Sequence, residues 1–252
     1  VQKEKLYDFL REMEFNRLLS LAISFYGEDN TFDSNFDTKK VKASKIDTKL
    51  YKSILSEKDL DELINILISK PFISIDTETS SLNPLEADLV GISFSYDPNE
   101  AYYIPIGHKN IKGLNKELVL KKIKPLLEDP SIKKVGQNIK YDLIILEKNG
   151  VNIDPVEDTM LLSYVLDAGN NRHNMDTLSE LHLGHKPISY KEVVGSGKKQ
   201  LNFSDVSLEE ATKYAAEDAD VTLRLYNLLL ERVNNEKLKK IYEVFEKPMI
   251  KL

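Results

Sequence analysis

The chain has 252 residues, enough for one sizeable hydrophobic core with a small appendage. Its 41% hydrophobic and 30% charged residues are typical of a soluble globular protein, and no apolar run is long enough to span a membrane. The absence of cysteine excludes disulfides and thiolate metal sites and fits a reducing cytoplasm. A net charge of −6 argues against a strongly basic nucleic-acid binder, but not against a nuclease with clustered acidic metal ligands.

The N-terminal part of the sequence predicts a helix followed by a linker. Apolar residues recur at helical spacing over residues 4–23, so we expect one amphipathic helix there. From residue 27 to about 49, polar residues dominate and the periodicity ends. The chain does not begin with Met, and we therefore expect it to be a piece of a longer polypeptide.

The rest of the sequence alternates between apolar runs that predict strands and amphipathic segments that predict helices. The expected strands lie near 51–55, 72–78, 89–96, 101–107, 132–137 and 155–157. The expected helices lie near 56–67, 116–128, 138–148, 158–166, 175–183, 189–194 and 207–234, with Ser56 and Asp158 as N-caps. An antiparallel meander followed by alternating strands and helices predicts an α/β protein with a mixed β-sheet flanked by helices.

The sequence from Phe72 to Leu82 joins a buried strand to two carboxylates. Asp76 and Glu78 lie two residues apart near the strand's end, so their side chains point to the same side. Two acids aimed at one spot repel each other, and a hard divalent cation is the usual partner of such oxygen ligands. A solvated strand end would explain Asp-x-Glu on its own, so the argument depends on the motifs that follow.

Two later segments each add an acid and a polar partner. We expect Asn138 and Asp142 on one face of a helix, and Tyr214 and Asp218 on one face of another, since residues four apart are helical neighbours. Small alanines around Asp218 would let its helix lie close against the sheet. With the two strand acids, the total is four carboxylates, enough for two divalent cations about 3.5–4 Å apart that support in-line attack on a phosphodiester.

These three segments carry a resemblance to a known family. They read Asp-Thr-Glu-Thr-x-Ser-Leu from Asp76, Lys-Val-Gly-Gln-Asn-x-Lys-Tyr-Asp from Lys134, and Tyr-Ala-Ala-Glu-Asp-Ala-Asp-Val-Thr from Tyr214. They resemble the motifs of the 3′-5′ proofreading exonuclease domain of bacterial DNA polymerase I, a family A polymerase whose Klenow-fragment region belongs to the Tyr-containing branch of the DEDD superfamily. The resemblance runs from about Tyr51 to the C-terminus and implies an RNase H-like fold.

The resemblance implies a catalytic role for each acid. Asp76, Glu78 and Asp218 would hold one divalent cation, Mg²⁺ or Mn²⁺, that activates water. Asp142 would hold a second cation largely through waters. Asp76 would also touch this second cation. Tyr214 would orient the attacking water, although a core aromatic with a satisfied hydroxyl is the alternative for this residue. Because all four carboxylates and the tyrosine are present, we expect an active enzyme.

The resemblance also implies contacts with the substrate strand. Leu82 and Tyr190 would pack against the terminal nucleotides. Further contacts to the strand would come from Gln137, Asn138, Tyr141 and Arg172. Ordinary packing remains an alternative for Leu82 and Tyr190, a surface position for Arg172, and helix capping for Asn138.

Three regions follow from the resemblance. Residues 1–49 would be the tail of a preceding 5′-nuclease-like domain, residues 50–240 the exonuclease domain, and residues 241–252 the start of a truncated polymerase domain. We expect those two domains as partners in the same polypeptide, together with a single-stranded or frayed DNA 3′ end. We also expect a monomer without membrane contact, located in a bacterial cytoplasm and associated with the nucleoid.

Charged residues outside the motifs have simpler expectations. Glu217 and Asp220 flank Asp218 and are expected to be solvated. His182 and His185 are expected to be structural or to lie at the surface, because hard oxygen ligands already serve the metal chemistry. The loop residues Lys198 and Lys199 could contact phosphate or could only be solvated.

The expected function is that of a metal-dependent 3′-5′ exonuclease that releases nucleoside 5′-monophosphates from DNA. One alternative is a ribonuclease of the same superfamily that trims RNA 3′ ends, which the polymerase-like flanking stretches disfavour. The other is an inactive domain that only spaces a nuclease from a polymerase, against which the complete set of carboxylates argues.

Overall fold

A computed structural model describes residues 2–13, 15–27, 45–197 and 200–251. The chain divides into two compact units, Val1–Ala43 and Ser44–Leu252. Most of the predicted linker lies at residues 28–44, outside the described residues, as do Lys198 and Lys199. Among the described helices, none has the length and apolar content needed to cross a membrane.

Two helices lie in the described part of the first unit, so the prediction of one continuous helix over residues 4–23 was wrong. Helices α1 (Lys3–Glu12) and α2 (Asn16–Tyr26) are separated by a break at which Phe15 leaves the helical backbone conformation. The break lets the apolar faces of the two helices pack on each other, which a straight helix could not do. Their contact buries Tyr7, Leu10 and Ala22.

The second unit is built on a six-stranded mixed sheet, which confirms the predicted fold class. Its strands are β1 (Lys52–Ser53), β2 (Phe72–Thr79), β3 (Leu89–Asp97), β4 (Glu100–Pro105), β5 (Lys133–Gly136) and β6 (Val156–Asp158), in the order β1-β4-β3-β2-β5-β6. The meander β2-β3-β4 is antiparallel. Strand β1 pairs with β4 in parallel. On the other side of the sheet, β5 pairs in parallel with β2, and β6 pairs in parallel with β5.

Helices cover the sheet close to the predicted positions. They are α3 (Glu57–Ile68), α4 (Lys116–Leu127), α5 (Lys140–Lys148), α6 (Thr159–Asp167), α7 (Met175–Leu183), α8 (Tyr190–Val194), α9 (Leu208–Asn235) and α10 (Lys239–Ile241). The side chains of Ser56 and Asp158 cap α3 and α6 by accepting backbone N–H bonds, as predicted. A capping box formed by Ser189 and Glu192 begins α8.

The residues of β2 alternate between two packed layers. Ile73 and Ile75 belong to a core cluster that includes residues of α3, α4 and α5. Ser74 points to the opposite side, where its hydroxyl donates to the carbonyl oxygen of Ala219 on α9 at 2.7 Å. Small residues, among them Ala215 and Ala216, are fully buried on α9 and allow this close approach, as the sequence predicted.

The segment after α10 packs into the same unit as the sheet. It consists of a π-turn at Tyr242–Glu246 and a 3-10 turn at Lys247–Lys251. The hydroxyl of Tyr242 donates to Glu157 on β6 at 2.7 Å, and the ammonium of Lys247 contacts the same carboxylate at 2.8 Å. The proposed domain boundary near residue 241 therefore lies within one compact body.

Candidate active site

The candidate site lies where α9 passes over the even-numbered side chains of β2. Asp76 and Glu78 follow Ser74 on this side of the strand because strand side chains alternate. One carboxylate oxygen each from Asp76, Glu78 and Asp218 lie within 4.8 Å of one another. The structure thus brings three of the four predicted acids into a single cluster, from two elements that lie far apart in sequence.

Burial raises the pKa of all three carboxyl groups well above the ordinary range. Neighbouring negative charges raise the pKa of Asp76 and Glu78 further. The Oε1 atom of Glu78 is buried and has no hydrogen-bond partner among the residues that the structure describes. An unsatisfied buried acceptor and crowded like charges are both unfavourable, and an oxygen-ligated divalent cation would relieve both. The donor set therefore fits a hard cation.

Asp142, the fourth predicted acid, lies beside this cluster and is held by β2 itself. Its Oδ1 atom accepts hydrogen bonds from the backbone N–H of Thr77 at 2.9 Å and from the Thr77 hydroxyl at 2.5 Å. Burial raises the pKa of Asp142 to about 7, although the bonds from Thr77 oppose that rise. The charge of Asp142 in turn raises the pKa of Asp76 and Glu78, so the four acids form one electrostatic group.

Asn138 does not share a helical face with Asp142, and that prediction was wrong. Helix α5 begins at Lys140, and Asn138 precedes it with a positive φ of 56°. The carboxylate of Asp158 stabilises this turn by accepting from the backbone N–H groups of Asn138 at 3.1 Å and Ile139 at 3.0 Å. The sequence indicated Asp158 only as the N-cap of its own helix, so its second role was missed.

Tyr214 lies one turn before Asp218 on α9, as predicted. Burial raises the pKa of Asp218, and a hydrogen bond from Tyr214 partly opposes that rise. Burial, followed by the Asp218 charge, raises the pKa of the Tyr214 hydroxyl. The Tyr214 ring packs against Phe203 with a centroid separation of 5.9 Å and against Tyr190 at 6.1 Å. These ring contacts hold the Tyr214 side chain so that its hydroxyl points to the acidic cluster.

An unpredicted tyrosine closes the site behind Glu78. In the β2–β3 pairing Glu78 faces Gly91, and a Cβ atom added there would meet the Tyr103 hydroxyl at 2.1 Å. The Tyr103 hydroxyl is also hydrogen-bonded to Nε2 of His108 at 2.8 Å. Gly91 thus leaves room for the fully buried Tyr103 ring. No local pattern in the sequence indicates this contact, because it joins two strands through the absence of a side chain.

The candidate nucleotide contacts differ in how they are held. Leu82 is 88% exposed on the loop between β2 and β3. Tyr141 braces that loop, since its hydroxyl donates to the carbonyl oxygen of Ser81 at 2.5 Å and is hydrogen-bonded to Thr79. Tyr190 is half-buried and stacks on Phe203 with a centroid separation of 6.3 Å. An exposed leucine on a braced loop offers an apolar surface to a ligand.

Gln137 is hydrogen-bonded to the backbone of His173, the residue that follows Arg172 in the chain. The Gln137 amide donates to the carbonyl oxygen of His173 at 2.7 Å and accepts from the hydroxyl of Thr159. Nδ1 of His173 is hydrogen-bonded to the hydroxyl of Ser163 at 2.9 Å. Gln137 thus fixes the loop that carries the exposed Arg172, and its own polar atoms make intramolecular bonds.

Glu217 and Asp220 are buried, so the prediction that they are solvated was wrong. Glu217 is 1% exposed and Asp220 is 0% exposed. Asp220 accepts from the Tyr51 hydroxyl at 2.8 Å and from Nε of Arg224 at 2.8 Å. Glu217 is bonded to His185, which fulfils the structural role expected for that histidine. The helix carries no solvated face at this point, because other elements cover it.

Comparison with known proteins decides the class of this site. Residues 51–234 match the model of the family described as 3′-5′ exonuclease. The chain belongs to the 3′-5′ exonuclease family. This confirms the resemblance and makes the three converging acids and Asp142 the candidate catalytic carboxylates of an exonuclease.

Two of the curated relatives named DNA polymerase I show how far the similarity extends. The protein from Borreliella burgdorferi is 43% identical over 204 residues, covering 80% of this chain and 22% of the relative. The protein from Rhizobium leguminosarum is 42% identical over 224 residues, covering 81% of this chain and 22% of the relative. The chain thus spans about a fifth of the relatives' length. It is similar to the exonuclease portion of DNA polymerase I.

A solved structure shares the fold described above. Brucella melitensis NrnC with bound Mg²⁺ superposes with a TM-score of 0.58 at 25% identity. The match covers 80% of this chain and 88% of NrnC. The exonuclease fold described above is therefore shared over most of both chains.

Proposed function

We propose that this exonuclease removes nucleotides from single-stranded or frayed DNA 3′ ends by metal-dependent hydrolysis, as the proofreading domain of a DNA polymerase I. The observation that carries the proposal is the convergence of Asp76, Glu78 and Asp218 within 4.8 Å, beside an orphaned Glu78 oxygen. Polymerase and 5′-nuclease domains in the same polypeptide would be its partners, and the name DNA polymerase I of the curated relatives supports the first of these.

The acidic residues would hold two divalent cations, Mg²⁺ or Mn²⁺. Asp76, Glu78 and Asp218 would hold one, and Asp142 together with Asp76 the other. When bound, the cations supply positive charge that lowers the pKa of water and stabilises the leaving oxygen. The Mg²⁺ bound to Brucella melitensis NrnC supports the choice of a hard cation.

The protein itself would position the reactants. The Tyr214 hydroxyl would orient a water molecule for attack on the last phosphodiester, with its direction fixed by the Phe203 and Tyr190 rings. Water adds to phosphorus and the P–O3′ bond breaks, which gives a nucleoside 5′-monophosphate and a strand one nucleotide shorter. No covalent enzyme intermediate is needed for this hydrolysis.

Leu82 and Tyr190 would hold the terminal nucleotide by apolar contact. Asn138 and Arg172 would contact the strand directly, and both side chains are exposed. Gln137 and Tyr141 would contribute through the loops that they brace, in addition to any direct contact. The overall negative charge offers little affinity for phosphate, so binding should be weak and inhibited by salt.

A labelled digest tests the proposal and its rivals. A 5′-labelled single-stranded DNA is incubated with Mg²⁺, Mn²⁺ or a chelator, and a matching RNA is treated in parallel. We expect stepwise shortening from the 3′ end of DNA, release of 5′-monophosphates, and no reaction with the chelator. Faster cleavage of RNA would favour the ribonuclease, and an absence of metal-dependent turnover would favour the inactive spacer.

The form of the DNA end gives a second test. Separating a paired terminus costs about a few kcal/mol, and a mismatched or single-stranded end avoids most of that cost. We therefore expect single-stranded and 3′-mismatched DNA to be cleaved faster than a blunt duplex. Equal rates on all three ends, or digestion from the 5′ end, would contradict proofreading.

A further inference from the structure

Glu217 precedes a proposed metal ligand but makes its contacts on a different side of α9. Its side chain is 1% exposed. Its Oε2 atom accepts the backbone N–H of Ile188 at 2.6 Å, and its Oε1 atom is hydrogen-bonded to Nε2 of His185 at 2.8 Å. Both partners belong to the connection between α7 and α8, so a buried carboxylate joins that connection to the helix that carries Asp218.

The same connection is anchored at its two ends. Gly184 adopts a left-handed conformation with a φ of 63° and ends α7. The Ser179 hydroxyl then donates to the carbonyl oxygen of His185 at 2.8 Å. At the other end, the capping box of Ser189 begins α8. Between these points, the hydrogen bond from the Ile188 backbone N–H to Glu217 fixes the position of the connection along α9.

Tyr190 is the first residue of α8 and stands two residues after Ile188. Its ring is nearly parallel to that of Phe203, with an interplanar angle of 10°, and meets the Tyr214 ring edge-on. Tyr214 lies on α9, less than one turn before Glu217. One helix therefore holds the Tyr190 segment by a carboxylate and its ring by an aromatic contact.

We propose that Glu217 is a positioning residue of the exonuclease, which holds the Ile188–Tyr190 backbone against α9 and thereby sets the Tyr190 ring for the terminal nucleotide. The inference rests on the proposed contact between Tyr190 and that nucleotide. A second buried acid beside Asp218 is electrostatically unfavourable, and the two hydrogen bonds that it accepts or shares give a reason for its presence.

Two substitutions separate position from charge. In Glu217→Gln, the amide oxygen can still accept from Ile188, and the amide nitrogen can donate to Nε2 of His185 in the tautomer that carries its proton on Nδ1, so position is kept while charge is lost. In Glu217→Ala, both bonds are lost. We expect kcat/KM on single-stranded DNA to fall by about tenfold or more in Glu217→Ala, because small displacements of a group that contacts the substrate lower the rate by such factors. In Glu217→Gln, kcat/KM should stay near the wild-type value. Glu180→Ala, at an exposed glutamate, is the control and should have no effect.

A double-mutant cycle links this loss to Tyr190. If Glu217 acts through Tyr190, then Glu217→Ala should cause little further loss of kcat/KM in a Tyr190→Ala background. The metal concentration needed for half-maximal activity should be the same in Glu217→Gln as in Glu217→Ala, because both variants lose the same negative charge beside Asp218. The proposal would be overturned if the loss of kcat/KM in the double variant equalled the product of the losses in the Glu217→Ala and Tyr190→Ala single variants. It would also be overturned if Glu217→Gln were as impaired as Glu217→Ala.

Amide hydrogen exchange provides a readout that does not depend on activity. We expect faster exchange over residues 185–194 in Glu217→Ala but not in Glu217→Gln, because only the former loses the acceptor for the Ile188 amide. Unchanged exchange in Glu217→Ala would also overturn the proposal. If Tyr190→Ala alone keeps wild-type activity, the proposed nucleotide contact fails, whereas the exchange result still decides whether Glu217 holds the segment.

Discussion

Thr77 donates both its backbone N–H and its hydroxyl to the same oxygen of Asp142. The strand that carries Asp76 and Glu78 thus also sets the position of the fourth acid. These bonds lower the pKa of Asp142, whereas burial raises it more strongly, to about 7. The ionisation of Asp142 near neutral pH therefore depends on Thr77, the residue between Asp76 and Glu78, for which the sequence predicted no role.

Replacing Thr77 by Val should remove the hydroxyl bond and leave the backbone bond. The pKa of Asp142 should rise, so that less of it is ionised at pH 7, and activity there should fall by about tenfold. Raising the pH to about 8.5 should recover part of the loss. The pH dependence of kcat/KM for Thr77→Val, with Thr77→Ser as the control that keeps the hydroxyl, measures this. A pH profile identical to that of wild type would refute it.

Asp218→Ala should separate activity from stability. The change removes one of the three converging carboxylates proposed to hold the cation, so activity should fall by at least about 10³-fold, as for other groups that stabilise transition-state charge. It also removes a buried acid whose pKa is raised by burial and by Glu217, so the melting temperature should not fall appreciably. Steady-state kinetics and thermal unfolding in chelator test both statements. Cleavage at the wild-type rate would show that the site is misassigned.

Tyr214→Phe should give a milder defect. The ring contacts with Phe203 and Tyr190 are kept, and only the hydroxyl that is proposed to orient water is lost. We expect activity to fall by roughly 10- to 10³-fold with an unchanged melting temperature. Tyr164→Phe, at a tyrosine that is 47% exposed, is the matched control. Wild-type rates for Tyr214→Phe would remove the water-orienting role but leave the carboxylate site intact.

Metal binding should stabilise the chain in a pH-dependent way. The folded-state pKa of Asp142, about 7, lies above the unfolded value of about 4. Its contribution to the stability of the metal-free chain is therefore full below about pH 4 and is lost as the pH rises through 7. Cations bind the ionised acids and must displace protons at low pH. Millimolar Mn²⁺ should raise the melting temperature more at pH 8 than at pH 5.5.

Thermal unfolding of wild type and Asp142→Asn, with Mn²⁺ or with chelator, measures this linkage. The variant in chelator should show a weaker pH dependence than wild type, because it lacks the titrating group. An unchanged melting temperature on addition of metal at pH 8 would argue against a preformed cation site.

Local periodicity was enough to predict the parts of the site that lie on regular elements. Asp76 and Glu78 share one side of β2 because strands alternate, and Tyr214 and Asp218 are one helical turn apart. The positive φ of Asn138 could not be predicted in this way, since Asp158, on another strand, stabilises that turn. Long-range hydrogen bonds of this kind leave no periodic trace in the sequence.

The burial of Glu217 was missed for a related reason. Helix α9 has 28 residues, and sequence reasoning assumes that a helix of this kind keeps one solvated face. Here the sheet covers one side, while α6, α7 and α8 cover others. Acids on such a helix need specific partners, and these partners, His185 and Ile188, lie in an irregular connection that the sequence does not position.

The contact of Tyr242 with β6 bears on how a shortened enzyme should be cut. The Tyr242 hydroxyl accepts the backbone N–H of Asp158 at 3.3 Å while donating to Glu157, and Asp158 in turn holds the Asn138 turn. The match to the exonuclease family ends at residue 234, before Tyr242. A fragment truncated there would retain all four candidate catalytic carboxylates and still lose an internal brace of the loop before α5. Fragment boundaries are better drawn from the hydrogen bonds, which extend at least to Lys251 and its contact with Asp154 at 2.6 Å.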